Sequence, residues 1–379
     1  MLMGVTLTPE LTPGSRVSTL ELFFDLVFVF TVTQVTQVVA HAHGPAGYAQ
    51  AALILGLLWW MYGGYAWLTN NVGTDSPLHR LLLLCGMFGF LVAALAIPSA
   101  FGAGGVAFGL AYLLVNLIHA ALFTHAQNSS ALAILRIAPF NLGGALLVTL
   151  AGVLGGDLRV PLWLLAFLLP VASTLFRRYG AFSLSPQHFV ERHGLVLIIA
   201  LGESVVSIGV GAADLPISAR LVLTAGLALA LVAALWWSYF GGNGIGGEEQ
   251  RAEHALSRAN GADRARMALF AFGYAYLMLL AGVVLASAGI KGMVAHLEGH
   301  ASPQVAWTLS CGVALFLIGE SLFRLTLGTG RGRSRLLTAV LTLPTALIGL
   351  IAGGLWQLLV LLTMLLAEGR ASTGVTPTS

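Results

Sequence analysis

Three carboxylates and one histidine stand inside long apolar stretches of this sequence. Asp25 lies in ELFFDLVFVF, Glu203 in ALGESVV, Glu320 in FLIGESLF and His119 in NLIHAAL. An acid in such a stretch is costly unless it is protonated, paired with a cation, or next to a watery cavity. Carboxylates and imidazoles can also exchange protons. These residue types therefore point to proton or ion transfer inside an apolar medium.

Glu203 gives the strongest single signal. It follows the Arg192–His193 pair by about ten residues, which on a helix is about 15 Å deeper and near the middle of a bilayer. Ser207 is one turn further on and shares its face. We expect Glu203 and Ser207 to belong to a substrate-coupling or ion-coupling site. The alternative is a neutral acid that hydrogen-bonds between helices and serves packing.

Asp25 belongs to a stretch that is unusually polar for a lipid-facing helix. Its short side chain is flanked by large apolar residues and cannot easily reach water. It is either a second coupling residue or a structural partner of an arginine near the cytoplasmic side. The polar residues that follow suggest that this helix is central and lines a path. They are Thr31, Thr33, Gln34, Thr36 and Gln37.

For Glu320 and His119 the sequence favours a structural interpretation over a functional one. Glu320 precedes Arg324 by one turn, the favoured order for an intrahelical ion pair, so a structural salt bridge is the simplest reading. His119 is either a hydrogen-bonded core residue or a proton relay. Together with Asp25 they lie at similar depths, about two turns in from the predicted cytoplasmic ends. Both residues, together with Gln34, join the coupling candidates.

A second group of charged residues is predicted at the cytoplasmic mouth of the helices. Arg192 faces the same way as Glu203, because the eleven residue steps from one to the other rotate the helix by about 1100°, close to a whole number of turns. Arg192 would attract anions or orient an acid such as Asp25, or would only anchor the helix at the interface. The substitution Arg192→Lys would distinguish these two roles, since an interfacial anchor needs only the positive charge. The predicted mouth residues are Glu21, Asp75, His79, Arg80, Glu191, Arg192 and His193.

The amino-acid composition indicates which kind of structural element holds these residues in position. Of 379 residues, 58% are hydrophobic and only 9% are charged, against roughly a quarter charged in soluble domains. Apolar runs long enough to cross a bilayer, about 20 residues each, recur along the chain. The sequence predicts an all-α integral membrane protein with about twelve spans. They lie near 19–41, 46–69, 79–98, 104–126, 132–154, 159–177, 187–211, 217–240, 263–288, 304–327, 333–349 and 351–367.

The last two spans and the longest loop are the least regular features. Residues 333–367 read either as one segment kinked at Pro344 or as two spans broken around Gly353 and Gly354. The loop 241–262 begins with glycines and continues, over 247–260, with the composition of a short polar surface helix.

Basic residues set the predicted orientation. Of the 18 Lys and Arg residues, only Arg159, Arg220 and Lys291 fall on the side opposite the N-terminus. Basic loops stay in the cytoplasm, so both termini are predicted to be inside. This asymmetry explains the basic isoelectric point without nucleic-acid binding.

Repeated patterns predict a duplication. Trp59-Trp60-Met61-Tyr62 is echoed by Trp236-Trp237-Ser238-Tyr239, and Leu117-Ile118 with Leu122-Phe123 by Leu317-Ile318 with Leu322-Phe323. Echoes six spans apart suggest two parallel six-helix repeats, as in some transporters. The predicted divisions are 1–178, a connection 179–186, a second half 187–368, and a disordered cytoplasmic tail 369–379.

Several classes of site have no signature here. The sequence contains no P-loop, G-x-S-x-G, H-E-x-x-H or dinucleotide fingerprint. The two cysteines form no C-x-x-C, and no metal site or cofactor is predicted. The only lysine, Lys291, lies at the outer end of its span, where it could not hold retinal.

Four segments, in order, resemble the bacterial low temperature requirement A (LtrA) family. They are STLELFFDLVFVF at 18–30, TDSPLHRLL at 74–82, HFVERHGLVLIIALGESVVSIGVG at 188–211 and ALWWSYF at 234–240. The family commonly has two consecutive acids before its Leu-x-His-Arg element, where this chain has only Asp75. The resemblance implies a multi-spanning bacterial membrane protein linked by name to growth in the cold. It implies no established reaction.

The leading hypothesis is a secondary transporter or permease of the bacterial cytoplasmic membrane, coupled to protons through Glu203 and Asp25. Its partners would be the lipid bilayer and a small molecule or ion. One alternative is a membrane-embedded enzyme acting on lipids, with Glu203 and His119 as acid and base. Another is a membrane scaffold that docks partners through 241–262.

Overall fold

The computed structural model describes residues 17–71, 76–124, 129–175, 184–241, 247–330 and 332–373, and its side-chain description omits 124, 129–136, 175 and 371–373. Within these ranges the chain forms helices and loops and no β-strand. The helices are α1 (Thr19–Ala40), α2 (Pro45–Asn71), α3 (Pro77–Ala96), α4 (Gly105–Thr124), α5 (Ser129–Leu154), α6 (Arg159–Leu175), α7 (Pro186–Ala212), α8 (Ala219–Phe240), α9 (Glu248–Arg258), α10 (Gly261–Ala268), α11 (Tyr276–Ala295), α12 (Pro303–Leu327), α13 (Arg333–Thr342), α14 (Thr345–Ala352) and α15 (Gly354–Thr373).

The all-helical, multi-spanning architecture predicted from composition is confirmed. Eleven stretches of the described chain are helical, long and apolar enough to cross a membrane, the last being Arg333–Ala352. The helix α15 follows them and covers the twelfth predicted span. A count of twelve spans with both termini inside stays a prediction.

The described chain divides into two compact units. Unit 1 contains described residues of Met1–Gln34, Leu53–Leu195 and Ala259–Arg266, and unit 2 those of Val35–Ala52, Val196–Arg258 and Met267–Ser379. The division does not follow the sequence halves, because α1, α2, α7 and α10 each contribute residues to both units. The six-helix duplication stays a prediction.

In unit 2, the helices α11 and α12 pack closely against each other. A Cβ on Gly282 would lie 2.5 Å from the backbone nitrogen of Phe316, and one on Gly312 would lie 2.4 Å from that of Ala286. No real Cβ approaches so closely, so only glycine allows the two backbones this contact. Small residues of this kind let membrane helices associate through van der Waals contact.

The irregular segments of unit 2 occur at a proline and a glycine of the sequence. Between α13 and α14 the chain turns at Pro344, and between α14 and α15 it breaks at Gly353, which has φ of 101°. Residues 333–367 therefore bend at the proline and break at the glycine. The short helix predicted in the 241–262 loop is α9, and α15 continues to Thr373, into the predicted tail. Residues 374–379 lie outside the described part.

A π-helical segment, Leu269–Ala275, joins α10 to α11. Its wider turn carries an extra residue, and such segments are rare outside functional or strained sites. Phe272 and Ala275 from this segment are buried, and Tyr276 follows directly. The segment therefore leads directly into the buried Tyr276 at the start of α11.

Candidate functional site

A buried ion network in unit 1 brings together side chains of α1, α2 and α7. We call it the Arg192 cluster, and its members are Glu21, Asp25, Tyr62, Thr69, His188 and Arg192. Each helix supplies its residues at helical spacing, so that they share one face. The exposed fraction is 0% for Asp25, 1% for Arg192 and 4% for Glu21.

Arg192 is the centre of this cluster. Its Nε and Nη2 donate to Oδ1 of Asp25 at 3.3 and 3.2 Å, and its Nη1 donates to Oε1 of Glu21 at 3.4 Å. Nη1 also donates to the carbonyl of Tyr65 at 3.3 Å and to the hydroxyl of Thr69. One guanidinium thus holds two carboxylates by its fork of donors, a geometry that lysine cannot reproduce.

Aromatic rings enclose the Arg192 guanidinium. Its central carbon lies 5.4 Å from the ring centre of Phe24 and 5.5 Å from that of Tyr62. Phe28 and Trp59 pack in turn against Tyr62, with ring centres 4.4 and 5.0 Å away. A cation over aromatic faces gains stabilisation that grows when water is excluded. The rings therefore hold the guanidinium in place while keeping it dry.

Glu21 serves the helix and the cluster together. Ser18 donates its backbone N–H and its hydroxyl to Oε2 of Glu21 at 2.9 and 2.8 Å, and the Glu21 N–H donates to the Ser18 hydroxyl at 3.3 Å. This reciprocal arrangement is a capping box that begins α1. His188 Nε2 lies 3.3 Å from both carboxylate oxygens.

The tautomer of His188 follows from its neighbours. Asn70 accepts the backbone N–H of Ser185 at 2.8 Å through Oδ1, which fixes the orientation of its amide. Its Nδ2 then donates to the Ser185 carbonyl and, at 3.3 Å, to Nδ1 of His188. Nδ1 must therefore accept, and Nε2 must carry the proton that His188 donates to Glu21. His188 is accordingly neutral in this arrangement.

With His188 neutral, the cluster holds two carboxylates against one guanidinium. Of the two carboxylates, Glu21 accepts hydrogen bonds on both oxygens, and Asp25 has the less complete set of donors. Its Oδ1 accepts from Arg192 and, at 2.9 Å, from the Tyr62 hydroxyl, whereas its buried Oδ2 has no hydrogen-bond partner among the described residues. A buried carboxylate oxygen without a donor is unfavourable when charged. A proton on Oδ2 would remove the surplus charge and leave the three bonds to Oδ1 in place.

Unit 2 contains a second buried ion network, which we call the Glu320 cluster. Glu320 Oε1 lies 3.4 Å from Arg324 Nη2, the intrahelical pair that the spacing predicts, and 3.0 Å from Arg335 Nε. Arg324 also pairs with Glu248 at the start of α9, and Arg335 Nη1 lies 3.7 Å from Glu368 Oε1 on α15. The members are Glu248, Glu320, Arg324, Arg335 and Glu368.

Two tyrosines lie in the interior of the same unit. Tyr239, at the position that echoes Tyr62, accepts a hydrogen bond from the Tyr276 hydroxyl at 3.2 Å. Both rings are fully buried and pack with Phe323 at centre distances of 5.8 Å. The echoing tyrosines therefore differ in chemistry, since Tyr62 donates to a carboxylate and Tyr239 accepts from a phenol.

Glu203 and Ser207 are both buried in unit 2, as their common face predicts. The Ser207 hydroxyl lies 3.5 Å from Oε1 of Glu203. Ser204, next to Glu203, shares a hydrogen bond of 2.7 Å with Ser287 of α11. This segment of α7 therefore presents polar groups to the interior of the unit. A coupling role for Glu203 and Ser207 stays a prediction.

His119 and Gln34 lie in unit 1. His119 is 4% exposed, and its Nε2 faces Gly64, where a Cβ would lie 2.9 Å from that nitrogen. Its ring centre is 5.4 Å from that of Tyr65, whose carbonyl accepts from Arg192. Gln34 is half-buried on α1. His119 is thus a neighbour of the Arg192 cluster and not one of its members.

The predicted mouth residues separate into several environments. Glu21 and Arg192 belong to the Arg192 cluster. His193 is buried, donates Nδ1–H to the Phe189 carbonyl at 2.8 Å, and meets the Trp59 ring edge-on. His79 is buried, Arg80 is exposed and Glu191 is half-buried. Asp75 lies outside the described residues. A role for these residues at the mouth of a path stays a prediction.

Sequence reasoning missed several members of the two clusters. Tyr62 was noted only as part of a repeated pattern, and His188 and Thr69 were not singled out. Glu248 was assigned to a surface helix but is 2% exposed. One sequence signal was available, because Glu248 shares a helical face with the apolar residues Ala252 and Leu256. All three are buried. Among the described residues, no group of three or more His, Cys, Asp or Glu side chains could hold a metal ion.

Comparison with known proteins gives two matches. The sequence pattern of the family described as bacterial low temperature requirement A protein (LtrA) matches residues 16–368. An uncharacterized protein of Rhizobium meliloti (strain 1021), RA0937, is 26% identical over 326 residues, which cover 83% of this chain and 78% of the relative. The matched family range includes every member of both clusters.

Proposed function

The chain belongs to the bacterial low temperature requirement A (LtrA) family, and we propose that it is a proton-coupled secondary transporter of a small solute in the bacterial cytoplasmic membrane. Asp25 is the residue that carries the coupling proton in this proposal. Glu203 with Ser207 remains the second candidate site, in unit 2. The link between this transport and growth in the cold is part of the proposal.

The proposal rests on the different hydrogen bonding of the two carboxylate oxygens of Asp25. Oδ1 accepts from Arg192 and Tyr62, and the fully buried Oδ2 has no hydrogen-bond partner in the described part of the chain. Ionised acids within membrane segments are rare, and those that occur commonly mark proton or ion paths. A proton-coupling site needs a carboxylate that is held in place by one oxygen and can bind a proton on the other. Asp25 has this arrangement.

Protonation would change how strongly the Arg192 cluster is held together. With Asp25 ionised, its charge attracts the guanidinium, and Arg192 bridges α1 and α7. With Asp25 neutral, the attraction falls, and Glu21 becomes the only anion that holds Arg192. A bound proton can shift a conformational equilibrium only through such a difference between two states. The two charge states of Asp25 therefore supply a means of coupling.

The test uses the full chain reconstituted in lipid vesicles. The vesicles receive an inward proton gradient and a metabolite extract from bacterial cells, and mass spectrometry identifies the solutes that they trap. We expect at least one solute to accumulate above the level in protein-free vesicles, and a protonophore to abolish that accumulation. Asp25→Asn should lose gradient-driven accumulation but retain exchange of the same solute across the membrane, because exchange needs no net proton movement.

The matched control is Asp214→Asn, which makes the same chemical change at an exposed position. It should accumulate solute like the unchanged protein. Transport as such is rejected if no solute accumulates above the protein-free level. The role of Asp25 is rejected if Asp25→Asn accumulates normally. In a deletion strain, Asp25→Asn should also fail to restore growth in the cold, whereas Asp214→Asn should restore it.

A further inference from the structure

An open groove lies on the surface of unit 2, away from the residues of the Glu320 cluster. It is formed where α8 begins and where α14 gives way to α15, and α8 and α15 pack against each other. Its volume is about 370 Å³, within the range of sites that take small molecules. The residues that line it are Ala219, Arg220, Leu223, Ala352, Gly353, Leu355 and Trp356.

The break between α14 and α15 shapes the groove. Gly353 adopts φ of 101°, which a residue with a side chain rarely adopts, and a Cβ there would lie 3.0 Å from the Gly299 carbonyl. The glycine therefore lines the groove without filling it. Leu223 and Trp356 line it as well, and they are 53% and 54% exposed.

Among the described residues that line the groove, Arg220 alone is charged. It is exposed and has no hydrogen bond or ion pair with any other described residue. The two other basic residues predicted on the same side of the membrane do have partners. Arg159 donates to the carbonyl of Phe101, and Lys291 donates to Gln37 Oε1 at 2.7 Å. The Arg220 guanidinium is thus available to an anion from outside the protein.

We propose that this groove is a binding site for one anionic phospholipid, with the phosphate on Arg220 and an acyl chain along Leu223 and Leu355. Two stretches that border the groove, Ala219–Phe240 and Arg333–Ala352, are apolar enough to span a bilayer. They expose large apolar side chains, among them Val222 and Ile351. A guanidinium suits phosphate because it can donate two parallel hydrogen bonds. Trp356 fits the level of the headgroups, where amphipathic rings are enriched.

The charge of the groove selects the occupant. A second copy of this chain would have to bring a carboxylate to Arg220 and cover a concave apolar surface. An anionic lipid brings its phosphate and its hydrocarbon together in one molecule, and the bilayer supplies it at high local concentration. A basic residue near an anionic membrane surface gains roughly 1 kcal/mol of attraction, which corresponds to about a fivefold preference.

The experiment is lipid titration of the purified full chain in a non-ionic detergent, followed by native mass spectrometry. The probes are phosphatidylglycerol, which is anionic, and phosphatidylethanolamine, which has no net charge. We expect the first phosphatidylglycerol to bind about fivefold more tightly than phosphatidylethanolamine. Arg220→Gln should remove the preference, and Arg220→Lys should keep most of it, because lysine retains the charge.

Arg258→Gln is the matched control, since it removes one exposed arginine of unit 2 outside the groove. It should keep the full preference, and free inorganic phosphate should not displace the lipid. The proposal is overturned if Arg220→Gln binds phosphatidylglycerol as tightly as the unchanged protein. It is also overturned if Arg258→Gln loses the preference equally, if inorganic phosphate displaces the lipid, or if Arg220→Gln converts a dimer into a monomer.

Discussion

The Arg192 cluster and the Glu320 cluster use the same residue types in different proportions. In unit 1, a single guanidinium holds Glu21 and Asp25. In unit 2, Glu320 is shared by two arginines, Arg324 and Arg335. Each cluster has one more carboxylate than guanidinium. The clusters differ in redundancy, since both acids of the Arg192 cluster depend on the same arginine, whereas Glu320 has two.

The two clusters differ as well in their access to solvent. Arg251, which is one-third exposed, lies 3.0 Å from Glu248 Oε1 and brings a third cation to the edge of the Glu320 cluster. Charged atoms near solvent are screened and can be hydrated after a change. Arg192 is enclosed by aromatic rings instead, so a change of charge in its cluster can be neither screened nor hydrated by solvent. The Glu320 cluster therefore fits a structural role, and the Arg192 cluster is better suited to respond to one proton.

The largest predicted effect follows from removing the shared guanidinium. Arg192→Leu leaves Glu21 and Asp25 buried without a cation, and breaking a buried pair in this way costs about 3–5 kcal/mol. We expect the free energy of unfolding in detergent to fall by that amount, measured by tryptophan fluorescence during denaturation.

Arg192→Lys is the informative companion to this variant. It restores the charge but cannot reach Asp25 and Glu21 with separate donors. We expect normal expression with loss of transport. Full transport activity in Arg192→Lys would show that Arg192 acts only as an interfacial anchor. Unchanged stability in Arg192→Leu would show that the two carboxylates do not depend on it.

A smaller effect is expected from the equivalent change in unit 2. Arg324→Leu removes one cation, but Glu320 retains Arg335 and Glu248 retains Arg251. We expect a loss of about 2 kcal/mol in the free energy of unfolding, below the range for a buried pair left without any partner. The same denaturation measurement applies. A loss equal to that of Arg192→Leu would contradict the redundancy of the Glu320 cluster.

The smallest effects come from the two echoing tyrosines. Tyr62→Phe removes a hydrogen bond to the Asp25 carboxylate, and Tyr239→Phe removes only the acceptor of the Tyr276 hydroxyl. Hydrogen bonds to charged groups contribute about 1.5–3 kcal/mol and neutral ones about 0.5–1.5 kcal/mol. We expect losses of about 1.5 kcal/mol for Tyr62→Phe and about 0.5 kcal/mol for Tyr239→Phe in the same assay. A larger loss of stability in Tyr239→Phe than in Tyr62→Phe would show that the hydrogen bond to Asp25 is not the stronger of the two.

Composition and spacing predicted much of this molecule. The long apolar runs predicted the membrane helices, and the spacing of Glu320 and Arg324 predicted their ion pair. Pro344 and Gly353 predicted two alternative interruptions of 333–367, and both occur, before α14 and before α15. Each of these features depends on residues that are close in sequence. Local physical rules, such as helical periodicity and the backbone limits of proline and glycine, are sufficient for them.

The Arg192 cluster could be predicted only in part. The charge of Asp25 required a cation, and Arg192 was a reasonable candidate, but several arginines satisfied the same rule. Tyr62, Thr69 and His188 carry no sequence signal that distinguishes them from ordinary packing residues. Their role depends on how α2 and α7 are rotated against α1, which is set by the packing of whole helices. Glu248 was missed for the same reason, since its partner Arg324 lies on another helix.

The separation of Asp25 and Arg192 along the chain has a consequence for biosynthesis. The two residues are 167 positions apart, and at about 5–20 residues per second a ribosome needs roughly 8–33 s to synthesise that length. During this interval α1 must enter the bilayer with an acid whose cation does not yet exist. A nascent helix in that condition would benefit from a proton on Asp25 or from a translocon that shelters it until α7 arrives. In unit 2, Glu320 and Arg324 emerge within the same helical turn, so insertion meets no comparable delay.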